Sequence, residues 1–249
     1  MSLAFAVVCE ARADFRTATA LAERIIREHV DWIDDNLLAH YLLWRGLDPA
    51  TPFLLWSDAR ALAREAGIKS HGHFDGRPAE PDAHAAQRAL RLLKWKNAGR
   101  PLDGVLLIRD DDGDARRRIG LEQARDDERE LRDRIIIGLA RCKRECWVLA
   151  GFDPEDTSEE GRLAEVRAEL GFDPRLGSHQ LAASHDPDKR SAKRVLGLLT
   201  QDDPDREARC WEQAPLDRLS ERGRESGLAD FLDEIHSRLV PMFASHPPA

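Results

Sequence analysis

Four aspartates fall within five positions, Asp110, Asp111, Asp112 and Asp114, one residue beyond the apolar run Val105-Leu106-Leu107-Ile108. The run reads as a buried strand, and Gly113 as the sharp turn after it. A strand that stops on such a cluster aims several carboxylates at one small volume. Like charges repel, so folding alone does not favour the arrangement. A hard divalent cation does, and an oxygen-rich set without Cys or His suits Mg²⁺ or Mn²⁺. The alternative is an acidic turn that only solubilises a loop. Two further acids follow apolar runs: Glu10 ends Leu3–Val8, and Glu145 follows Ile135-Ile136-Ile137 by a turn or two of the next helix. In an open parallel sheet the strand C-termini gather ligand groups on one edge. If these three strands are neighbours, Glu10, Asp110, Asp112 and Glu145 converge, hold one or two divalent ions and polarise a phosphodiester. Singly, Glu10 reads as a surface acid near a helix and Glu145 as an ion-pair partner; co-occurrence is what gives them weight.

A basic counterpart lies in the last third. Lys189, Arg190, Lys193 and Arg194 put Arg190 and Arg194 on one helical stripe and Lys189 and Lys193 on the next. This is the best candidate for contacting a phosphate backbone; its alternative is an ordinary solvated helix start.

The elements that must position these residues alternate. Leu3–Val8 predicts a strand, followed by a helix over Phe15, Ala18, Ala22, Ile25 and Ile26 with Asp14 placed to cap it. A short helix is expected over Asp35–Trp44, breaks at Asp48-Pro49 and Thr51-Pro52, a short strand at Phe53–Trp56, and a helix over Ser57–Ala66 opened by Ser57. Residues 68–80 read as irregular, and a helix runs from about Pro81 to Trp95. After the aspartates, Ala115–Asp133 has the mixed charge of a solvated helix. Arg134–Leu139 is a third buried strand, leading into a short helix over Cys142–Ala150. Thr157-Ser-Glu-Glu160 spells a capping box for a helix to Leu170. Gly171–Asp188 is loop, and helices follow at about 189–200, 205–213 and 228–240. The fold class is therefore α/β: a mostly parallel sheet with helices on both faces and a helical C-terminal portion. No linker separates folding units, so 1–249 reads as one domain with a core over 1–152 and an extension over 153–249.

Composition excludes several classes. A net charge of −8 argues against a surface coated with non-specific nucleic-acid contacts, though not against a local basic groove. No apolar run approaches a membrane span, and the first ten residues lack the basic start of a signal peptide, so the expected compartment is the cytoplasm. Four cysteines are few, and reduced thiols are expected there. His71 and His73 with Cys142 and Cys146 match no usual zinc spacing. No P-loop or Gly-x-Gly-x-x-Gly motif occurs, so the chain has no ATPase signature of its own.

A Glu closing the first strand, a helix, and an Asp-x-Asp closing a later strand resemble TOPRIM domains. Glu145-Cys146-Trp147, with Leu149-Ala150-Gly151-Phe152 after it, resembles the small stand-alone bacterial TOPRIM-like proteins, which carry an acid two before a Trp at this place. The chain is similar also to the nuclease domain of OLD-family (overcoming lysogenisation defect) proteins. The resemblance covers residues 3–152 and extends loosely into the C-terminal helices. It implies a Rossmann-like TOPRIM sheet and Mg²⁺-dependent phosphodiester cleavage, a nuclease acting on DNA or RNA in phage defence or DNA metabolism. It implies Glu10 as the acid/base or metal-linked glutamate, Asp110 and Asp112 as the metal-holding pair, and Glu145 as an additional ligand or supporting group. Small proteins of this type often carry a Lys after a Pro such as Pro187. Two departures stand out: Ala11 replaces the usual Gly after the first Glu, and Asp112 with Asp114 forms a second Asp-x-Asp register. Rival readings are a non-catalytic metal-binding interaction module and a defence effector activated by a partner such as an ATPase.

Overall fold

The computed structural model describes residues 2–47, 51–70 and 72–244; the expected break at Asp48-Pro49 and His71 lie outside them. The chain divides into two compact units. The first takes in Met1–Arg109, Asp114–Gly138 and Asp233–Ala249, the second Asp110–Gly113 and Leu139–Leu232.

The first unit is built on a parallel sheet. Strand β1 (Leu3–Cys9) is buried from Ala4 onward, the continuous apolar run that a strand covered on two sides requires. Helix α1 (Arg12–His29) buries Ala18, Leu21, Ala22, Ile25 and Ile26, an i, i+3, i+4 stripe. Asp14 caps the start as expected, as the capping-box residue. It lies in the first turn, and its Oδ2 accepts the backbone N–H groups of Glu10 and Ala11 at 3.0 and 2.8 Å. Helix α2 (Asp35–Tyr41) ends three residues before the expected Trp44, because Leu42–Trp44 is strand β2 and pairs parallel with β1. Strand β3 (Phe53–Leu55) also pairs with β1. Helix α3 (Trp56–Glu65) starts at Trp56 without a side-chain cap; the hydroxyl of Ser57 donates instead to Asp58. The stretch read as irregular holds a two-residue hairpin, β4 (His73–Phe74) and β5 (Arg77–Pro78). Helix α4 (Ala83–Lys96) then leads to β6 (Gly104–Asp110), which lies beside β1 with Val8 opposite Leu107.

Helix α5 (Arg116–Asp127) is shorter than expected and is not wholly solvated, since Gly120, Leu121, Ala124 and Arg125 are buried. A Cβ at Gly120 would lie 1.7 Å from the carbonyl oxygen of Pro81, so only glycine lets α5 approach so closely. Strand β7 (Ile135–Ala140) completes the sheet, whose order is β2-β1-β6-β7 with β3 also on β1. The α/β class and the parallel pairing are as the alternating pattern predicts.

The second unit is helical. Helix α6 (Glu145–Ala150) buries every residue after Glu145. Trp147 stacks on Phe231 with ring centroids 5.0 Å apart, and its indole N–H donates to the Ser226 carbonyl at 2.9 Å, which satisfies the one polar atom of a buried Trp. Helix α7 (Thr157–Leu170) is capped one residue earlier than the capping box implied: Asp156 accepts the Glu159 N–H at 2.8 Å. Helix α8 (Ala192–Thr200) opens at Ser191, which accepts the N–H of Arg194. Helix α9 (Pro204–Glu212) has Asp203 at its cap and Pro at its first position. Helices α10 (Leu216–Arg222), which the sequence pattern did not reveal, and α11 (Leu228–Glu234) follow. In the first unit's C-terminal segment, the helix expected through Val240 is broken by five π-helical residues, Ile235–Leu239, before α12 (Val240–Ala244). Among the described residues no helix is long and apolar enough to cross a membrane.

Candidate active site

In the first unit, Glu10 emerges directly after β1 and is exposed. Parallel pairing of β1 with β6 brings it beside Arg109, whose guanidinium lies 3.5 Å from its Oε1. Arg109 is held in place from three sides. It donates to Asp82 at 3.1 Å, lies 5.3 Å over the Trp56 ring, and that indole donates to the Ile108 carbonyl at 2.7 Å. Arg117 also reaches Asp82, at 3.4 Å. Ala11 has φ −147° and ψ 166°, extended backbone open to any residue, so this turn does not demand the glycine usual in TOPRIM domains.

In the second unit, the aspartates at and just beyond the end of β6 have separate partners. Asp111 is buried and serves the backbone: its Oδ1 accepts the N–H groups of Gly113 and Cys142, both at 2.9 Å, and its own N–H donates to the Ala140 carbonyl. Asp112 and Gly113 both have left-handed backbone, φ 46° and 81°, a conformation Asp tolerates and Gly favours. The loop is thereby turned sharply after Asp110. Asp110 accepts the N–H of Arg144 on Oδ1 at 3.0 Å, which fixes it against the start of α6, one residue from Glu145. Glu145 is largely buried, with the Arg144 guanidinium 3.5 Å away. The aspartate next in line, Asp114, is tied to the backbone and guanidinium of Arg116 at 3.0–3.1 Å, and this pairing holds its carboxyl below the usual range.

The basic residues divide. The expected stripe requires a helix from Lys189, but α8 begins at Ala192, so Lys189 and Arg190 precede it and the four side chains do not form two helical rows. Lys193 donates to Asp186 at 3.1 Å; that bond, with the nearby charge of Glu145, holds its ammonium above the usual range. Arg194 is paired with Glu169 at 3.0 and 3.1 Å. Within this unit, then, Asp110 is tied to the start of α6 next to Glu145, Lys193 is engaged with Asp186 and Arg194 with Glu169.

Sequence reading missed Arg144, Arg109 and the anchoring role of Asp111. Asp111 carried no signal of its own, because it lies beyond the end of β6, where no strand period applies. Beside Asp112, Gly113 and Cys142 a cavity of about 150 Å³ opens, closed by residues 181–184. Cys142, with φ 71°, is half-buried, and a hydrogen bond from Cys146 lowers its thiol below the usual value; burial pushes Cys9 and Cys210 up to about 12.

Among the described residues, no group of three or more acids, histidines or cysteines is arranged to hold a metal ion. Mg²⁺ does not require one: it is commonly bound through one or two carboxylates, with waters and substrate phosphates filling the rest. Asp110 and Glu145 offer oxygen donors, the kind that hard divalent cations take. No family model, curated protein or solved structure matches this chain, so the TOPRIM resemblance rests on the residues named above.

Proposed function

We propose that this protein is a Mg²⁺- or Mn²⁺-dependent phosphodiester-cleaving enzyme, a nuclease on a TOPRIM-like sheet. The observation that carries the reading is the bond from the Arg144 N–H to Asp110. It links the acid at the end of β6 to the first turn of α6, so two acids that the sequence separates by more than thirty residues share one end of the second unit. Asp110 and Glu145 would hold the ion, with Asp112 on the adjoining turn. The ion, when bound, would neutralise charge developing on the scissile phosphate. Lys193, close enough to Glu145 to be influenced by it, would add positive charge where a phosphate is drawn in. The resemblance implies Glu10, in the first unit, as the acid/base or metal-linked glutamate, a role that Glu10→Ala tests separately.

The test combines cleavage with metal binding. Plasmid, linear and single-stranded DNA and RNA are incubated with the protein in Mg²⁺ or Mn²⁺, and Mn²⁺ binding is followed by calorimetry. Asp110→Asn retains an oxygen to accept the Arg144 N–H, so the turn survives while the charge is lost. Activity should fall by roughly 100-fold or more, the usual cost of removing one electrostatic contributor, and Mn²⁺ affinity should fall with it. Cleavage that persists in both Glu10→Ala and Asp110→Ala would overturn the assignment. Tight metal binding without turnover on any nucleic acid would identify an interaction module instead.

A further inference from the structure

In the second unit, a single carboxylate is shared by three arginines. Asp153 Oδ1 accepts from Arg175 at 3.2 Å and from both terminal nitrogens of Arg222 at 3.0 Å, and Oδ2 accepts from Arg218. A carboxylate offers about four lone-pair sites, whereas each guanidinium brings five N–H donors. Two further arginines come from α9. Arg206 forms a two-pronged pair with Glu159 at 2.7 and 2.8 Å, and Arg209 pairs with Glu155 at 2.8 Å. Five arginines thus face three carboxylates, a surplus of two positive charges in a chain whose net charge is −8. Asp173 does not remove the surplus, because it takes Arg167 as well as Arg175.

Part of this cluster borders an open space. A cavity of about 210 Å³ is walled by Arg206, Arg209 and Arg218 together with Asp153 and Glu155. Arg209 and Arg218 are its most exposed cations, at 34% and 43%. Lys193 and Arg194 each pair with one carboxylate, Asp186 and Glu169, as Arg209 does with Glu155; Arg218 instead shares Asp153 with two other arginines. Planar guanidinium forks match phosphate oxygens better than lysine does.

We propose that this arginine cleft is a phosphate-binding site, with Arg209 and Arg218 as its arms. The group it takes is a phosphate, supplied by the backbone of a nucleic acid or by a free phosphorylated small molecule. The inference does not depend on the acids near α6 being catalytic.

The test uses the full-length protein in EDTA, so divalent-metal chemistry plays no part and a failure here leaves the nuclease reading untouched. Binding of labelled single-stranded and duplex oligonucleotides is measured by anisotropy across a salt series, and binding of inorganic phosphate and pyrophosphate by the shift in melting temperature. With two phosphate contacts removed, Arg209→Ala/Arg218→Ala should flatten the plot of log affinity against log salt by about 1.4 on single strands and about 1.8 on duplex. Arg209→Lys/Arg218→Lys keeps both charges and should restore the slope, which separates a lost contact from a damaged fold. Loss of oligonucleotide binding with that slope change identifies a nucleic-acid backbone as the source. Loss of phosphate or pyrophosphate stabilisation alone identifies a small phosphorylated ligand. Absence of binding by every phosphate-bearing probe, or equal affinity and slope in the wild type and the alanine variant, would overturn the proposal.

Discussion

Two regions solve the same charge problem in opposite ways. In the first unit Glu234 is met by three arginines, Arg118 at 2.9 Å, Arg125 at 2.8 Å and Arg238 at 2.8 Å. In the second unit Asp153 is met by Arg175, Arg218 and Arg222. The stoichiometry is equal but the surroundings are not. Glu234 and Arg125 are each 11% exposed, and Glu122 supplies a second carboxylate, 2.7 Å from Arg118. Asp153 is 35% exposed and borders an open cavity. Burial makes the first cluster an internal brace, whose charges are costly to separate. Exposure leaves the surplus of the second facing water, where a dianion can reach it. A guanidinium count by itself does not distinguish a brace from a binding site.

The sharpest way to break this comparison is to remove the buried carboxylate. Glu234→Ala strands Arg125 without its closest counter-charge and should destabilise the protein by about 3–5 kcal/mol, the range for breaking a buried pair, read as a lower urea midpoint. A loss under about 1 kcal/mol would place Glu234 with ordinary surface pairs and dissolve the contrast.

Acid provides the second test. The hydrogen bonds from Arg206 hold the carboxyl of Glu159 below its ordinary value of 4.5, against the opposing effect of burial. A carboxylate depressed in the folded state contributes stability that is complete above the unfolded value and is lost as pH falls through the folded one. The wild type should therefore lose stability below about pH 4.5, and Glu159→Gln should be less stable at neutral pH with a flatter acid limb. Parallel pH profiles for the two proteins would show that the pair at the cleft contributes nothing.

The smallest expected effect sharpens the comparison most. Asp153→Asn keeps the shape but deletes a charge from a partly exposed cluster, so stability should change by less than about 1 kcal/mol. Phosphate affinity should rise severalfold, because one competitor for three guanidinium groups is neutralised. Glu234→Gln should leave phosphate affinity unchanged. An identical response to the two substitutions in a pyrophosphate titration would mean that the cavity beside Asp153 is not where the anion binds.

Much of the frame was legible. The unbroken apolar runs at Leu3–Val8, Val105–Ile108 and Ile135–Ile137 are strands, and the helical periodicity of α1, α4 and α7 is where the pattern put it. The errors have local causes. Leu42–Trp44 reads as helix because three apolar residues carry no period, and their pairing partner lies far away at Leu3–Phe5. The caps were misread at Ser57 and Thr157, since a hydroxyl within a turn of the start looks the same in sequence whether or not it caps. The start of α8 was misread by three residues, which cost the basic stripe. At the candidate site the sequence pointed to Asp110 and Glu145, while Arg144, whose N–H donates to Asp110, carried no mark of its own.

The sequence by itself settled the α/β class, the parallel strands and the placing of acids at strand ends, because each depends on hydrophobic period and residue type within a few positions. The tertiary structure alone decided which charges are balanced. Asp153 meets Arg175, Arg218 and Arg222 from 22, 65 and 69 positions away, and electrostatic energy depends on distance and burial in space, neither of which a linear chain records.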